Sequence, residues 1–253
     1  MRVGILGCGA IGSEIAEWLD KEQEVALVAL TDRDREKAEK LAERLVSNPK
    51  VLEPDEFIEE EMELVVECAS IEASKDNLLR IIKKGKNVVT LSTGAFSDRE
   101  FKRKVEEAAK EKGVKVVVPS GAIAGIDGIK AAALEKIDHI KLRTTKSTEG
   151  LGVEKEGVVF RGNARDAVEK FPRNINVSET LFLASGKNIE VEIVADKNIK
   201  NNIHEVEISG EFGRMYVRVE NVPSEKNPKS SKLAALSAIV AIRNFFENFK
   251  IGV

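Results

Sequence analysis

"RVGILGCGAIGSEIAEWL" (2–19) decides the fold. Apolar residues run almost unbroken up to Gly7, as in a strand buried on both faces. Beyond the glycines the period changes, and Ile11, Ile15, Trp18 and Leu19 fall on one helical stripe. Between the two patterns lies "GCGAIG" (7–12), a G-x-G-x-x-G turn. Gly7 permits the tight turn, Gly9 lets the backbone approach a pyrophosphate, and Gly12 lets helix and strand pack closely. The helix that starts at Ala10 and Ile11 turns its N–H groups and positive dipole end toward the phosphates. Strand, glycine loop and helix in this order open a Rossmann dinucleotide-binding domain.

A second apolar strand, "EVALVALTD" (24–32), ends at Asp32, twenty residues after Gly12. A carboxylate there accepts hydrogen bonds from the adenosine ribose and repels a 2′-phosphate, which favours NAD. Arg33 and Arg35 follow directly and either offset part of that repulsion, with NADP tolerated, or stand as exposed charges at the start of the next helix. Further strands at 64–70, 87–92 and 114–120 alternate with helical patterns near 35–45, 73–84 and 98–112. Such alternation specifies a doubly wound parallel sheet. In open parallel sheets ligands bind outside the carboxyl ends of the strands. Those ends carry Ala69 and Ser70, Ser92 and Thr93, and Ser120 to Ala122, all small and able to present hydroxyls or N–H groups.

After a helix near 124–135 the chain reads as an α+β domain on a mostly antiparallel sheet. Strands are expected at 137–147, 157–162, 188–196, 204–210 and 213–221, with short helices at 164–171 and 178–185. The Rossmann domain is assigned to 1–121 and the second domain to 122–229. The apolar C-terminal helix within 230–253 is expected to pack back on the first domain.

His204, one of two histidines, opens the alternating run "HEVEISG" (204–210) and shares a face with Val206 and Ile208. A titratable ring on a covered face is either a hydrogen-bonded core group or an acid–base residue. His139, beside Asp138 at a strand start, reads as exposed or structural. With 40 basic against 43 acidic residues the net charge is −3, which argues against nucleic-acid and membrane-surface partners. No membrane-spanning run or leader peptide is expected, and Cys8 and Cys68 have no metal-ligand spacing. They read as reduced thiols in a cytoplasmic protein, and no metal site is expected.

"LSTGAF" (91–96), "SGAIAGIDGI" (120–129), "FPRNINVSETLFLASG" (171–186), "NIHEVEISGEFG" (202–213) and "NPKSSKLAALS" (227–237) resemble the archaeal and bacterial L-aspartate dehydrogenases. The resemblance runs in order from residue 1 to about 245. It implies NAD(P)-dependent oxidation of L-aspartate to iminoaspartate, which hydrolyses to oxaloacetate and ammonia. It further implies a homodimer and a place in NAD biosynthesis. The family's catalytic histidine falls on His204, and its nicotinamide-side contacts fall near Ala122 and Asn174, with Asn176 as the alternative. A neutral imidazole there can take a proton or activate the water that attacks the imine. The two substrate carboxylates need cationic or N–H partners, for which Ser120, Lys146, Lys229 and Arg143 are candidates. A related amino-acid or homoserine-type dehydrogenase and a non-catalytic NAD(H) sensor are the competing readings. The first would differ in substrate, and the second would bind dinucleotide without turnover.

Overall fold

A computed structural model describes the chain except residues 172–174, 225–226 and 253, with backbone alone at 165, 168–169, 175 and 227–229. The chain forms two compact units: Met1–Pro119 with Ala235–Lys250, and chiefly Ser120–Ala234.

The first unit runs β1 (Arg2–Leu6), α1 (Ala10–Leu19), β2 (Ala26–Thr31), α2 (Arg35–Ala42), β3 (Lys50–Val51) and α3 (Pro54–Glu59). It continues through β4 (Leu64–Glu67), α4 (Ile71–Lys83), β5 (Asn87–Thr90), a 3-10 turn (Thr93–Ser97), α5 (Arg99–Lys112) and β6 (Val116–Val117). The sheet order is β3-β2-β1-β4-β5-β6 and every pairing is parallel. Strand order therefore reverses beside β1, and the glycine loop leaves β1 at that switch point, where open sheets bind ligands. Val3, Ile5, Leu64 and Val66 are fully buried, which is why these strands read as continuous apolar runs. The core also takes in Ala235, Ala238, Ile239, Ala241 and Ile242 of α10 (Lys232–Arg243), packed with Ile15, Leu19 and Leu41.

The second unit holds α6 (Ile126–Ala132), β7 (Ile137–Lys146), α7 (Thr148–Leu151), β8 (Gly157–Asn163), α8 (Ala164–Lys170) and α9 (Ile175–Ser185). Then come β9 (Glu190–Ala195), β10 (Asn202–Gly210), β11 (Gly213–Asn221), β12 (Pro223–Ser224) and β13 (Asn227–Ser231). Its five-stranded sheet has the order β11-β10-β7-β9-β8. All pairings are antiparallel except β7 with β9. Ile140, Leu142, Val191, Ile193, Val206 and Ile208 line its covered face with Leu181 of α9. The other face is charged, and there Glu192 accepts from Arg161 at 2.5 Å and pairs with Arg143 at 3.2 Å. One face covered and one wet is the expected state of an antiparallel sheet.

Several elements differ from the sequence pattern. The helix near 124–135 is shorter, Ile126–Ala132, because Gly125 takes a left-handed φ of 73° at its N-cap. The last strand of the parallel sheet shrinks to Val116–Val117, an edge with a neighbour on one side only. The C-terminal helix stops at Arg243, short of the apolar run that continues to Phe249, which is 82 % exposed.

Candidate active site

The glycine loop is built by close approach. Gly7 has a φ of +102°, and a side chain on it would meet the Ala69 backbone at 2.7 Å. A Cβ on Gly12 would lie 1.9 Å from the Gly7 carbonyl oxygen, whereas one on Gly9 would meet nothing within 4 Å. Gly9 is thus the open side of the turn. It is also the N-cap of α1, whose first turn contains no acidic residue and has no side-chain cap. The N–H groups at the start of α1, around Ala10 and Ile11, keep the donor character that a pyrophosphate needs. The loop fits a dinucleotide.

Asp32 holds this loop. Its Oδ2 accepts from the Cys8 N–H at 2.7 Å and its Oδ1 from the Asp34 N–H at 2.9 Å. The carboxylate is half-buried, so it remains reachable from solvent. Arg35 is drawn away into ion pairs with Glu39 and Glu53, both at 2.8 Å, and Arg33 is exposed.

Beneath the strand ends lies a residue that the apolar reading of "LVVECAS" passes over. Glu67, at the carboxyl end of β4, is wholly buried. It accepts from Thr90 Oγ1 at 2.6 Å, Ser92 Oγ at 2.7 Å, Ala69 N at 2.9 Å and Ser92 N at 3.3 Å. Burial raises its pKa, and these four donors act against that rise. Ser92 therefore turns both its N–H and its hydroxyl inward to Glu67. Ser70 caps α4 by accepting from Ala73 N at 3.2 Å, while Ala69 is exposed and Thr93 is buried. A single Glu closing an apolar central strand was the available signal.

Neither thiol sits in surroundings that favour the thiolate. Burial, with Asp32 adding to it, pushes Cys8 up to about 12. Cys68 is raised well above its ordinary value by burial, then by Glu67, and its Sγ lies 3.2 Å from the Gly7 carbonyl oxygen. Reactive cysteines need the opposite environment.

In the second unit His204 is 5 % exposed and stands opposite Thr144 across the β10–β7 ladder. Its Nδ1 is 3.0 Å from Thr144 Oγ1. Burial, and then the charge of Lys146, lowers the ring's pKa from 6.5 to about 3. Among the described residues Nε2 has no hydrogen-bond partner. Lys146 lies two residues beyond Thr144 and so shares its face of the sheet. Arg143, by the same alternation, lies on the opposite face with Glu192 and Glu205, away from His204. His139 is exposed.

Ser120 and Ala122 are half-buried, and the Ala122 carbonyl accepts from Asn221 Nδ2 at 2.9 Å. Asn221 is buried and its Oδ1 accepts from the Ser231 hydroxyl, so the 120–122 loop is pinned from β11. Asn174 and the side chain of Lys229 lie outside the described residues, and Asn176 is exposed at the start of α9. Ser178, Glu179 and Thr180 are all buried, although three consecutive helical residues point in three directions. That turn of α9 is enclosed on all sides, which a helical stripe alone would not reveal. Among the described residues no cluster of three metal-type ligands occurs, and no helix is long and apolar enough to cross a membrane.

Residues 7–119 match the family model of the homoserine dehydrogenase NAD-binding domain, and residues 127–245 match that of the aspartate dehydrogenase C-terminal domain. A glycine-loop unit and a sheet unit with a buried neutral histidine, matched in this way, define a nicotinamide-dependent dehydrogenase that acts on an amino acid. The chain is 43 % identical to the L-aspartate dehydrogenase of Archaeoglobus fulgidus over 252 residues, covering 99 % of this chain and 100 % of that one. It is also 43 % identical to that of Methanothermobacter thermautotrophicus over 255 residues, covering 100 % and 98 %. The crystal structure of aspartate dehydrogenase from Thermotoga maritima superposes with a TM-score of 0.79 at 31 % identity, covering 99 % of each chain. The chain belongs to the L-aspartate dehydrogenase family.

Proposed function

We propose that the chain is an L-aspartate dehydrogenase that prefers NAD and tolerates NADP. L-Aspartate and NAD⁺ give iminoaspartate, NADH and a proton, and water then converts iminoaspartate to oxaloacetate and ammonia. The observation that carries this reading is His204, a buried neutral imidazole with an unpartnered Nε2, in a chain whose full-length relatives are named L-aspartate dehydrogenases. His204 acts at the reacting carbon from its neutral state. Bound NAD supplies the hydride acceptor, and the chain supplies binding, orientation and polarity.

Gly7, Gly9, Ala10, Ile11 and Gly12 hold the pyrophosphate, and Asp32 the adenosine ribose. Ala69, Ser70, Thr93, Ala122 and Asn174 complete the dinucleotide contacts, and Ser92, its N–H and hydroxyl taken by Glu67, contributes only van der Waals contact. Ser120, Lys146 and Lys229 take the substrate carboxylates. Asp32 supports the NAD preference, and the commitment of Arg35 to Glu39 and Glu53 removes one cation that would have favoured NADP. The two units correspond to a dinucleotide-binding and a catalytic domain. The enzyme works in the cytoplasm as a homodimer and delivers iminoaspartate to NAD biosynthesis.

The test is nicotinamide reduction with L-aspartate, D-aspartate, L-glutamate and L-homoserine, each with NAD and with NADP. Turnover with L-aspartate and a higher kcat/KM for NAD are expected. Turnover with another substrate in the panel and none with L-aspartate would overturn the reading. Light scattering on the same sample should give twice the mass of the chain.

A further inference from the structure

We propose that the Thr144 hydroxyl donates to Nδ1 of His204, so that the resting ring carries its proton on Nε2 and meets the substrate as a neutral hydrogen-bond donor. Thr144 is then a positioning residue, acting through His204. The inference rests on the reading of His204 as the residue at the reacting carbon, and specifies how it acts there.

Thr144 and His204 are register partners on β7 and β10, 1 % and 5 % exposed. Their side chains meet at 3.0 Å, a distance that suits donation in either direction. Satisfaction of the remaining groups separates the two directions. A hydroxyl has one proton to give, and among the described residues Thr144 has no hydrogen-bond partner other than Nδ1. If Nδ1–H donated to Oγ1, the buried threonine O–H would have no acceptor. If O–H donates to Nδ1, both atoms are satisfied, and Nε2–H is the ring group without a partner among the described residues. The orphaned alternative is disfavoured by about 5- to 150-fold, the equilibrium cost of one unsatisfied buried hydroxyl.

The imidazolium suffers the same defect, since Nδ1–H would again take the place of the threonine proton. Burial and Lys146 act in the same direction, so the ring stays neutral. Among the described residues no carboxylate is hydrogen-bonded to the ring to steady a positive charge. A neutral imidazole N–H polarises a carbonyl or steadies a developing oxyanion without itself changing charge. In the proposed reaction its target is the oxygen at C2 of the substrate, first in the carbinolamine formed when water adds to the imine, then in the oxaloacetate carbonyl. Water contributes that oxygen, its two protons reach nitrogen by way of solvent, and nitrogen leaves as ammonia. His204 neither gains nor loses a proton. In the amination direction the same N–H polarises the C2 carbonyl as ammonia adds.

The chain has only two histidines, so ¹⁵N-histidine labelling of the full protein gives two ring systems, and His204→Gln identifies which is which. The expected spectrum shows Nδ1 of His204 unprotonated and Nε2 protonated. Thr144→Val keeps the shape and removes the donor. It should abolish the tautomer bias and lower kcat about 10-fold, the value of one lost hydrogen bond, with NADH affinity unchanged. Thr144→Ser should restore both spectrum and kcat. His204→Gln, which keeps an N–H donor, should retain more activity than His204→Ala, an outcome a proton acceptor would not allow. A protonated Nδ1 in the wild type, or a Thr144→Val spectrum identical to wild type, overturns the assignment to Thr144. Full kcat in His204→Ala instead overturns the role of His204 in the reaction, whatever the tautomer.

Discussion

His204 makes the protein lose stability on mild acidification, by an amount that can be worked out. The unfolded ring has a pKa of 6.5 and the folded ring one of about 3. Between those values the unfolded chain binds a proton that the folded chain refuses. Stability therefore rises with pH across the window and falls as pH is lowered through it. The limiting slope is about 1.4 kcal/mol per pH unit. Integrated from pH 7 to pH 5, the contribution lost is about 2 kcal/mol, because the unfolded ring is nearly fully protonated at the lower pH while the folded ring is not. Other groups titrate in the same interval, so the informative quantity is the difference from His204→Gln, which retains all of them. Urea unfolding of both proteins at pH 7 and pH 5, followed by circular dichroism, should show wild type losing about 2 kcal/mol more than the variant. Parallel losses would mean that the folded ring accepts a proton as easily as the free one, and the argument from burial and Lys146 would fail.

Gly12→Ala should abolish NADH binding, since the new methyl would lie 1.9 Å from the Gly7 carbonyl oxygen and must displace the turn; fluorescence titration with NADH retaining wild-type affinity would refute this. Asp32→Ser should narrow or reverse the preference for NAD. It should also weaken both cofactors, because Asp32 Oδ2 holds the Cys8 N–H; paired Kd measurements for NADH and NADPH check both parts. Oxidative turnover should rise toward alkaline pH, because hydride leaves a carbon bearing a neutral amine most readily, and a rate maximum on the acid side would count against the mechanism.

The first unit was legible because its signals are local. The loop "GCGAIG", Asp32 twenty residues on, and the apolar runs of β1 and β4 each follow from short-range geometry. The two-residue strand β3 carries no period to read. Helix α3 was not read either, although Pro54 stands at its start and Glu53 and Glu56 form a capping box that could have marked it. In the second unit alternation put His204 on the covered face with Val206 and Ile208, and all three are buried. Alternation within one strand does not give the register between strands. That is why Thr144 opposite His204 could not be read, and why Arg143 could be offered as a partner for a substrate carboxylate although it lies on the face away from His204. Glu67 was missed for a related reason. Its four donors come from Ala69, Thr90 and Ser92, which only the parallel pairing of β4 and β5 brings to one carboxylate.

The most direct test of the central claim is the kcat for NAD reduction by L-aspartate in wild type and His204→Ala, with NADH affinity measured on both. The account predicts a fall of about 10²–10³-fold in kcat, the scale for one donor to a developing oxyanion. NADH affinity should be unchanged, because Gly7, Gly9, Gly12 and Asp32 belong to the other unit. Wild-type kcat in the folded variant, or no turnover of L-aspartate by the wild type itself, would contradict it.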